Sequence, residues 1–252
     1  MIVLTRNVIW RSFCVPALVV GFFLGFQRVN TTASAREIDQ AKYDAGQSNR
    51  YAMLQYLVPA LHQAGKAGRI YYAASCPPDE GYPYYPYPFP KLNVQPPSKD
   101  VSGLAAVRDI FRGDTNVEVE ERPVGIIRIR IGKVFDTLLQ TQISSITLKP
   151  EEQYDFKDAI RAIKASEEVQ INMKKLGISY DARAGSWMSI EPAEGLPHLP
   201  DSLTNVTMDQ ALDLVAQRFS GIVVYGTCTS QRYVTLSFTG GPGFHLPGLP
   251  PP

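Results

Sequence analysis

The stretch Asn205–Thr239 limits the fold of this chain more than any other part. Met208, Ala211, Leu212, Val215, Ala216 and Phe219 recur at alternating intervals of three and one, which draws one apolar stripe down a helix. Thr207 followed by Gln210 has the form of a capping box, in which two orphan amides at the helix start gain partners. Gly221 stands where a left-handed C-terminal cap belongs. Ile222–Tyr225 and Tyr233–Phe238 are rich in β-branched and aromatic residues and flank a polar segment, Gly226–Gln231. That composition predicts a hairpin. One helix and one hairpin bury too little apolar surface to stand alone, so further strands must come from upstream.

The upstream chain supplies them. Ser48 or Asn49 can cap a helix that buries Met53, Leu54, Leu57, Val58 and Leu61 and ends at Gly65. A strand Arg69–Ala74 follows, then the Tyr/Pro run Gly81–Pro90, where dense proline excludes helix and central strand. Leu92–Pro96 reads as a short strand and Leu104–Phe111 as a helix ending at Gly113. Val117–Glu121 and Ile126–Ile131 read as a hairpin around Pro123. In it Ile127, Ile129 and Ile131 alternate with Arg128 and Arg130. That basic face is either solvated or meets an acidic partner or a phosphate. Pro150 opens a helix with Phe156, Ala159, Ile160 and Ile163 on one face, and the phase breaks at Ser166, which starts a second helix carrying Val169, Met173 and Leu176 to Gly177. Strands Ile178–Ala182 and Trp187–Glu191 and a Pro-rich loop lead back to Asn205.

Residues 70–113 laid on 178–221, an offset of 108, bring Ile70 onto Ile178, Tyr72 onto Tyr180, Val107 onto Val215 and Phe111 onto Phe219. Beyond the helix, Ile127 and Ile129 fall on Thr235 and Ser237, where the identities are lost. The shared order of strand, strand, helix and hairpin implies a duplicated unit. The expected architecture is therefore α+β: two small modules, 36–131 and 166–239, joined by a helical connector, 132–165, with a Pro/Gly tail, 240–252. Whether the modules pack together is not legible in the sequence.

Arg6 and Arg11, the apolar run Ser12–Phe26 and the Ala33-Ser34-Ala35 site form a secretory leader, with cleavage expected after Ala35. The run is short of the roughly 20 residues a membrane span needs. An uncleaved anchor is the alternative; otherwise no stable membrane span is expected. Export would place the chain in the periplasm or outside the cell. It also permits a Cys76–Cys228 disulfide, which would close a long loop and stabilise by about 5 kcal/mol. Two unrelated small hydrophobes is the other reading. A net charge of +1 without clustered Lys and Arg argues against a nucleic-acid partner. Tyr82, Tyr84, Tyr85, Tyr87 and Phe89 are either an interaction surface or a stiff loop laid over the protein itself.

The segment Val206–Val224 with Tyr233–Leu236 resembles the secretin/TonB short N-terminal domain. In that family a strand precedes a helix of the form A-L-x-x-L, then a glycine and a two-stranded element. Residues 178–239 carry the resemblance best, and 69–131 form a looser copy with Ala105-Ala106-Val107 and the Tyr/Pro insertion. The resemblance implies a periplasmic interaction or signal-relay module with an envelope protein as partner. Its motif consists of core residues, so it brings no binding residues with it.

No catalytic, cofactor or metal set is nominated. His62, His198 and His245 lack metal-ligand spacing, and no G-x-S-x-G elbow is present. Glu151-Glu152 and Glu167-Glu168 sit where helix N-termini favour negative charge. Two competing functions remain: a binder of a small peptide or glycan at the Tyr-rich loop, and an unrecognised hydrolase using His198 and Asp201.

Overall fold

The architecture is α+β, built on a six-stranded sheet with helices on both faces and a separate two-stranded sheet. The computed structural model describes residues 48–74, 89–180, 195–228 and 233–240, all within the unit Lys42–Pro252. In chain order come α1 (48–63), β1 (Ala67–Ala74), α2 (Gly103–Ile110), β2 (Val117–Arg122) and β3 (Ile126–Ile131). A 3-10 turn (Thr137–Gln140), β4 (Gln142–Thr147), α3 (Pro150–Tyr154), α4 (Phe156–Ala165) and α5 (Glu167–Leu176) follow. The last elements are β5 (Ser179–Tyr180), β6 (Ser202–Thr207), α6 (Met208–Arg218), β7 (Gly221–Cys228) and β8 (Tyr233–Gly240).

The large sheet has the order β2-β3-β1-β7-β8-β5. It contains two β-α-β-β units, β1-α2-β2-β3 and β5-α6-β7-β8, each with its lead strand parallel to the second hairpin strand. The two units share one sheet, because β1 pairs in parallel with β7 from Gly68↔Ile222 to Ala74↔Cys228. Both units keep the same strand order across the sheet, but their equivalent strands run in opposite directions. A half-turn about a line across the strands relates them. That operation inverts the faces, so α2 and α6 lie on opposite sides. On one side α1 and α2 pack Met53, Leu57, Val107 and Ile110 against Ile70, Tyr72, Ile127 and Val224. On the other, α4, α5 and α6 pack Ile163, Val169, Leu212 and Val215 against Tyr71, Val223, Tyr225 and Val234.

The same geometry explains where the repeat loses its identities. Ile127, Ile129 and Ile131 face α2, and the residues of β8 that face α6 are Val234, Leu236 and Phe238. The two strands therefore match at an odd offset, whereas the lead strand and helix match at 108. At an odd offset apolar residues of β3 fall on apolar residues of β8.

Local signals mostly act as expected. Thr207 Oγ1 accepts from Gln210 N at 3.2 Å, and Thr207 N donates to Gln210 Oε1 at 2.8 Å, closing the capping box of α6. All six stripe residues of α6 are buried. Ser166 separates α4 from α5, and Gly177 caps α5 in the left-handed conformation, φ 64°. Three readings change. At the end of α6 the left-handed residue is Ser220, φ 48°, and Gly221 already belongs to β7. Residues 92–96 form no strand, since Pro90, Pro96 and Pro97 interrupt the donors a ladder needs; Gln95 N instead donates to Ile110 O at 3.1 Å. Within the expected helical connector, β4 pairs with β6 as an antiparallel ribbon. Both strands are short and polar on alternate positions, and Thr207 ends β6 while capping α6, so the helix signal hid the strand. The expected strand Trp187–Glu191 lies outside the described residues.

Gly221 has a different use from a helix cap. A Cβ there would stand 2.2 Å from Cζ of Phe238, whose ring stacks on Phe156 with centroids 4.0 Å apart. Gly221→Ala should therefore destabilise the protein by about 1–3 kcal/mol through overpacking, read as a lower urea midpoint. Adding Phe238→Leu should recover part of the loss. An unchanged midpoint in the single variant would contradict this packing.

Candidate functional site

The site forms where α6, from the second unit, lies over β1, β3 and β2 of the first. Strand alternation puts Arg69, Arg128 and Arg122 on the face toward α6, and the register places Arg69 beside Arg128. On α6, Asp209 and Asp213 are one turn apart and point to the same side. Arg69 is fully buried, and Asp209 and Asp213 are 4% and 5% exposed. Arg69 donates from Nη1 to Asp213 Oδ1 at 2.7 Å and to the Asp209 carbonyl at 2.9 Å, and from Nη2 to Asp209 Oδ1 at 3.1 Å. Tyr71 Oη donates to Asp209 Oδ1 at 2.7 Å, and Arg128 Nη2 donates to Asp209 Oδ2. Arg122 bridges both carboxylates, at 2.9 Å to Asp213 Oδ2 and 3.2 Å to Asp209 Oδ2. The Tyr71 ring lies 4.9 Å from the guanidinium carbons of Arg69 and of Arg128.

Three guanidiniums and two carboxylates thus form one buried clamp. Burial raises the Tyr71 phenol far above its ordinary range, so the hydroxyl stays protonated and serves as a donor. Burial also pushes the Asp213 carboxyl up to about 6, against the opposing pull of Arg69. Among the described residues, the buried Nε groups of Arg69 and Arg128 have no acceptor.

The arginines expected to present a basic surface are mostly enclosed. Arg128 meets Asp209 and, at 3.2 Å, Glu120, while Arg130 pairs with Asp136 at 3.0 Å. The acidic partner anticipated for this face comes from the chain itself. Phe89 is likewise no surface residue: it is 3% exposed and packs on Tyr72 with centroids 4.9 Å apart. Tyr82, Tyr84, Tyr85, Tyr87, Cys76 and His245 lie outside the described residues. Cys228 ends β7. His62 is exposed on α1. His198 is exposed and stacks on Tyr154 at 5.0 Å, with Nδ1 3.1 Å from the Leu196 carbonyl. Asp201 accepts a β-ribbon amide, Leu148 N, on its backbone oxygen. Glu152 accepts from Lys149 N at 2.8 Å, the helix-start role expected of it, and Glu168 accepts from Ser144 N at 2.9 Å.

Beside the clamp lies β2, one of the two edge strands of the sheet. Gly132 N donates to Asn116 O and Gly125 N to Arg122 O, which fixes the phase of the hairpin. In this register Glu118, Glu120 and Arg122 bond to β3, and the backbone groups of Val117, Val119 and Glu121 point outward. Val117 N is taken by Asp114 O at 3.3 Å, and Val119 O receives Arg108 at 3.4 Å. The amides of Val119 and Glu121 have no acceptor among the described residues. Beside the β2–β3 turn, Pro123, Val124, Val206 and Leu214 line a groove of about 430 Å3 with Arg122 and Asp213 at its wall. Val124 is half exposed.

Comparison with protein-family models, with curated proteins and with solved structures finds no match to this chain. Among the described residues no helix is long and apolar enough to cross a membrane.

Asp209→Ala should leave Arg69 buried against a single carboxylate and cost about 3–5 kcal/mol, measured by urea unfolding. Tyr71→Phe should cost about 1–2 kcal/mol. The raised Asp213 carboxyl makes the folded chain hold an extra proton between the ordinary carboxylate range and about pH 6. Its contribution is thus present at low pH and lost as pH rises through about 6. The stability of the parent relative to Asp213→Asn should therefore increase as pH falls from 7 to 4.5. A relative decrease over that range would show that the arginines outweigh burial.

Proposed function

We propose that this is an exported cell-envelope protein whose two β-α-β-β units serve protein–protein interaction or signal relay, with β2 as the docking edge. The observation that carries the reading is the pair of outward amides, Val119 and Glu121, on an edge strand. An extended segment of a partner can complete that edge by main-chain hydrogen bonds. The leader and the resemblance to the secretin/TonB short N-terminal domain support placing the partner in the envelope. The clamp supports the same reading in another way. It anchors Arg122, the last residue of β2, to α6, so the edge is held in place before a partner arrives.

In-cell cross-linking followed by capture from the envelope fraction should yield one dominant partner. Val119→Pro removes an outward amide without touching the β2–β3 ladder, and should abolish capture. Val119→Ala trims the side chain but keeps the amide, and should retain it. Failure to capture any partner, or equal capture by both variants, would sink the edge reading.

A further inference from the structure

The chemistry of β2 also specifies what kind of segment it accepts, an inference that rests on the docking edge proposed above. On the α6 face, β2 presents Glu118 and Glu120; on the other face Val117 and Val119 pack against the core. Its inner neighbour β3 answers this pattern residue for residue, with Arg130 opposite Glu118, Arg128 opposite Glu120, and Ile131 and Ile129 opposite the valines. The outer edge offers the same valines and the same carboxylates a second time. Glu120 is 60% exposed and has one cation, Arg128, at 3.2 Å. Glu118 is exposed and has no ion pair among the described residues. Arg130, which stands opposite it, turns to Asp136. Both glutamates can therefore take a further cation from a strand added outside.

The same charges weigh against a second copy of β2 as the occupant. Two such edges would set carboxylates opposite carboxylates, which destabilises a strand pair. At the end of the strand, the groove lined by Pro123, Val124, Val206 and Leu214 opens on the α6 face and has room for a large apolar side chain.

We propose that β2 binds an extended segment in which arginine or lysine alternates with apolar residues, and that an apolar side chain at one end of this segment enters the groove beside the β2–β3 turn. The cations lie over Glu118 and Glu120, the alternate apolar residues beside Val117 and Val119. The segment belongs to another envelope protein.

The test uses the purified full-length chain and three synthetic peptides of equal length read by fluorescence anisotropy. One alternates arginine with valine and ends in leucine. One alternates glutamate with valine. One has the composition of the first with its arginines in a single block. The alternating cationic peptide should bind at least tenfold more tightly than either control and should slow hydrogen exchange at the Val119 and Glu121 amides. Glu118→Lys combined with Glu120→Lys should weaken it about tenfold, the sum of two cross-strand ion pairs. Val124→Asp should weaken it further, and replacing the terminal leucine by glycine should have no added effect in that variant. Equal binding of the block peptide, or protection away from Val119 and Glu121, would overturn the inference. So would an envelope partner that is lost with Val119→Pro yet carries no basic–apolar alternation at its cross-link; that outcome leaves the docking edge standing. Peptide binding as expected without any partner captured from the envelope would sink the edge reading as a cellular function and uphold the specificity.

Discussion

A guanidinium with no exposure at all, on an interior strand, is the constraint from which the rest of this structure follows. β1 pairs in parallel with β3 on one side and with β7 on the other, and both its faces are covered. Strands in that position are ordinarily apolar throughout. Arg69 breaks the rule, and an unmatched charge there would consume a large share of a fold's net stability. Matching it takes two carboxylates at the spacing of one helical turn, so α6 is fixed along its own axis. Moving α6 by a turn would leave one carboxylate of the pair without Arg69. Packing of the apolar stripe alone tolerates such a slide better, since Leu212, Val215 and Ala216 recur at near-helical repeats. Buried ion pairs seldom add net stability. Here the clamp selects one seating of the helix among several apolar alternatives.

The half-turn relating the two units gives that seating its consequence. Each unit covers one face of the common sheet with its own helix. Because the faces are inverted, α6 reaches past β7 to the strands of the other unit, where Arg69, Arg128 and Arg122 wait on three adjacent strands. The junction between the units is therefore double: main-chain bonds from β1 to β7 within the sheet, and side-chain ion pairs above it. Separating the units would expose a buried arginine as well as break a ladder.

Much of this was legible and some was not, for identifiable reasons. The stripe from Met208 to Phe219 and the Thr207–Gln210 box are local signals, and a local signal survives any tertiary context. The β2–β3 hairpin was equally visible, in Val117–Glu121 beside Pro123 and in the alternation of IIRIRI. What the alternation could not reveal was the cover over the arginine face, because that cover comes from a helix about eighty residues away in the chain. Asp209 and Asp213 drew no role from the sequence. Their spacing of four beside an apolar stripe, with arginine rather than lysine on every facing strand, was the available clue, since the planar fork of arginine suits buried bidentate pairing. β4 and β6 escaped notice because a two-stranded polar ribbon has no apolar run of its own. The repeat blurred at its last strand because a slip by an odd number of residues moves every side chain to the other face.

The edge strand shows how one pattern can protect and select at once. An open edge is a hazard because any other edge can pair with it. Carboxylates along β2 repel an identical edge, and Arg108 blocks one outward carbonyl. Neither device closes the edge, since the Val119 and Glu121 amides remain outward. What they remove is pairing that lacks compensating cations. The strand is also held at both ends, by Asp114 at Val117 and by the carboxylates of α6 at Arg122. A strand so held is already extended and in register, so under the proposed reading little ordering cost would oppose a partner. The buried clamp and the open edge are in this sense one device. The interior charge that fixes α6 also fixes the strand proposed as the docking edge.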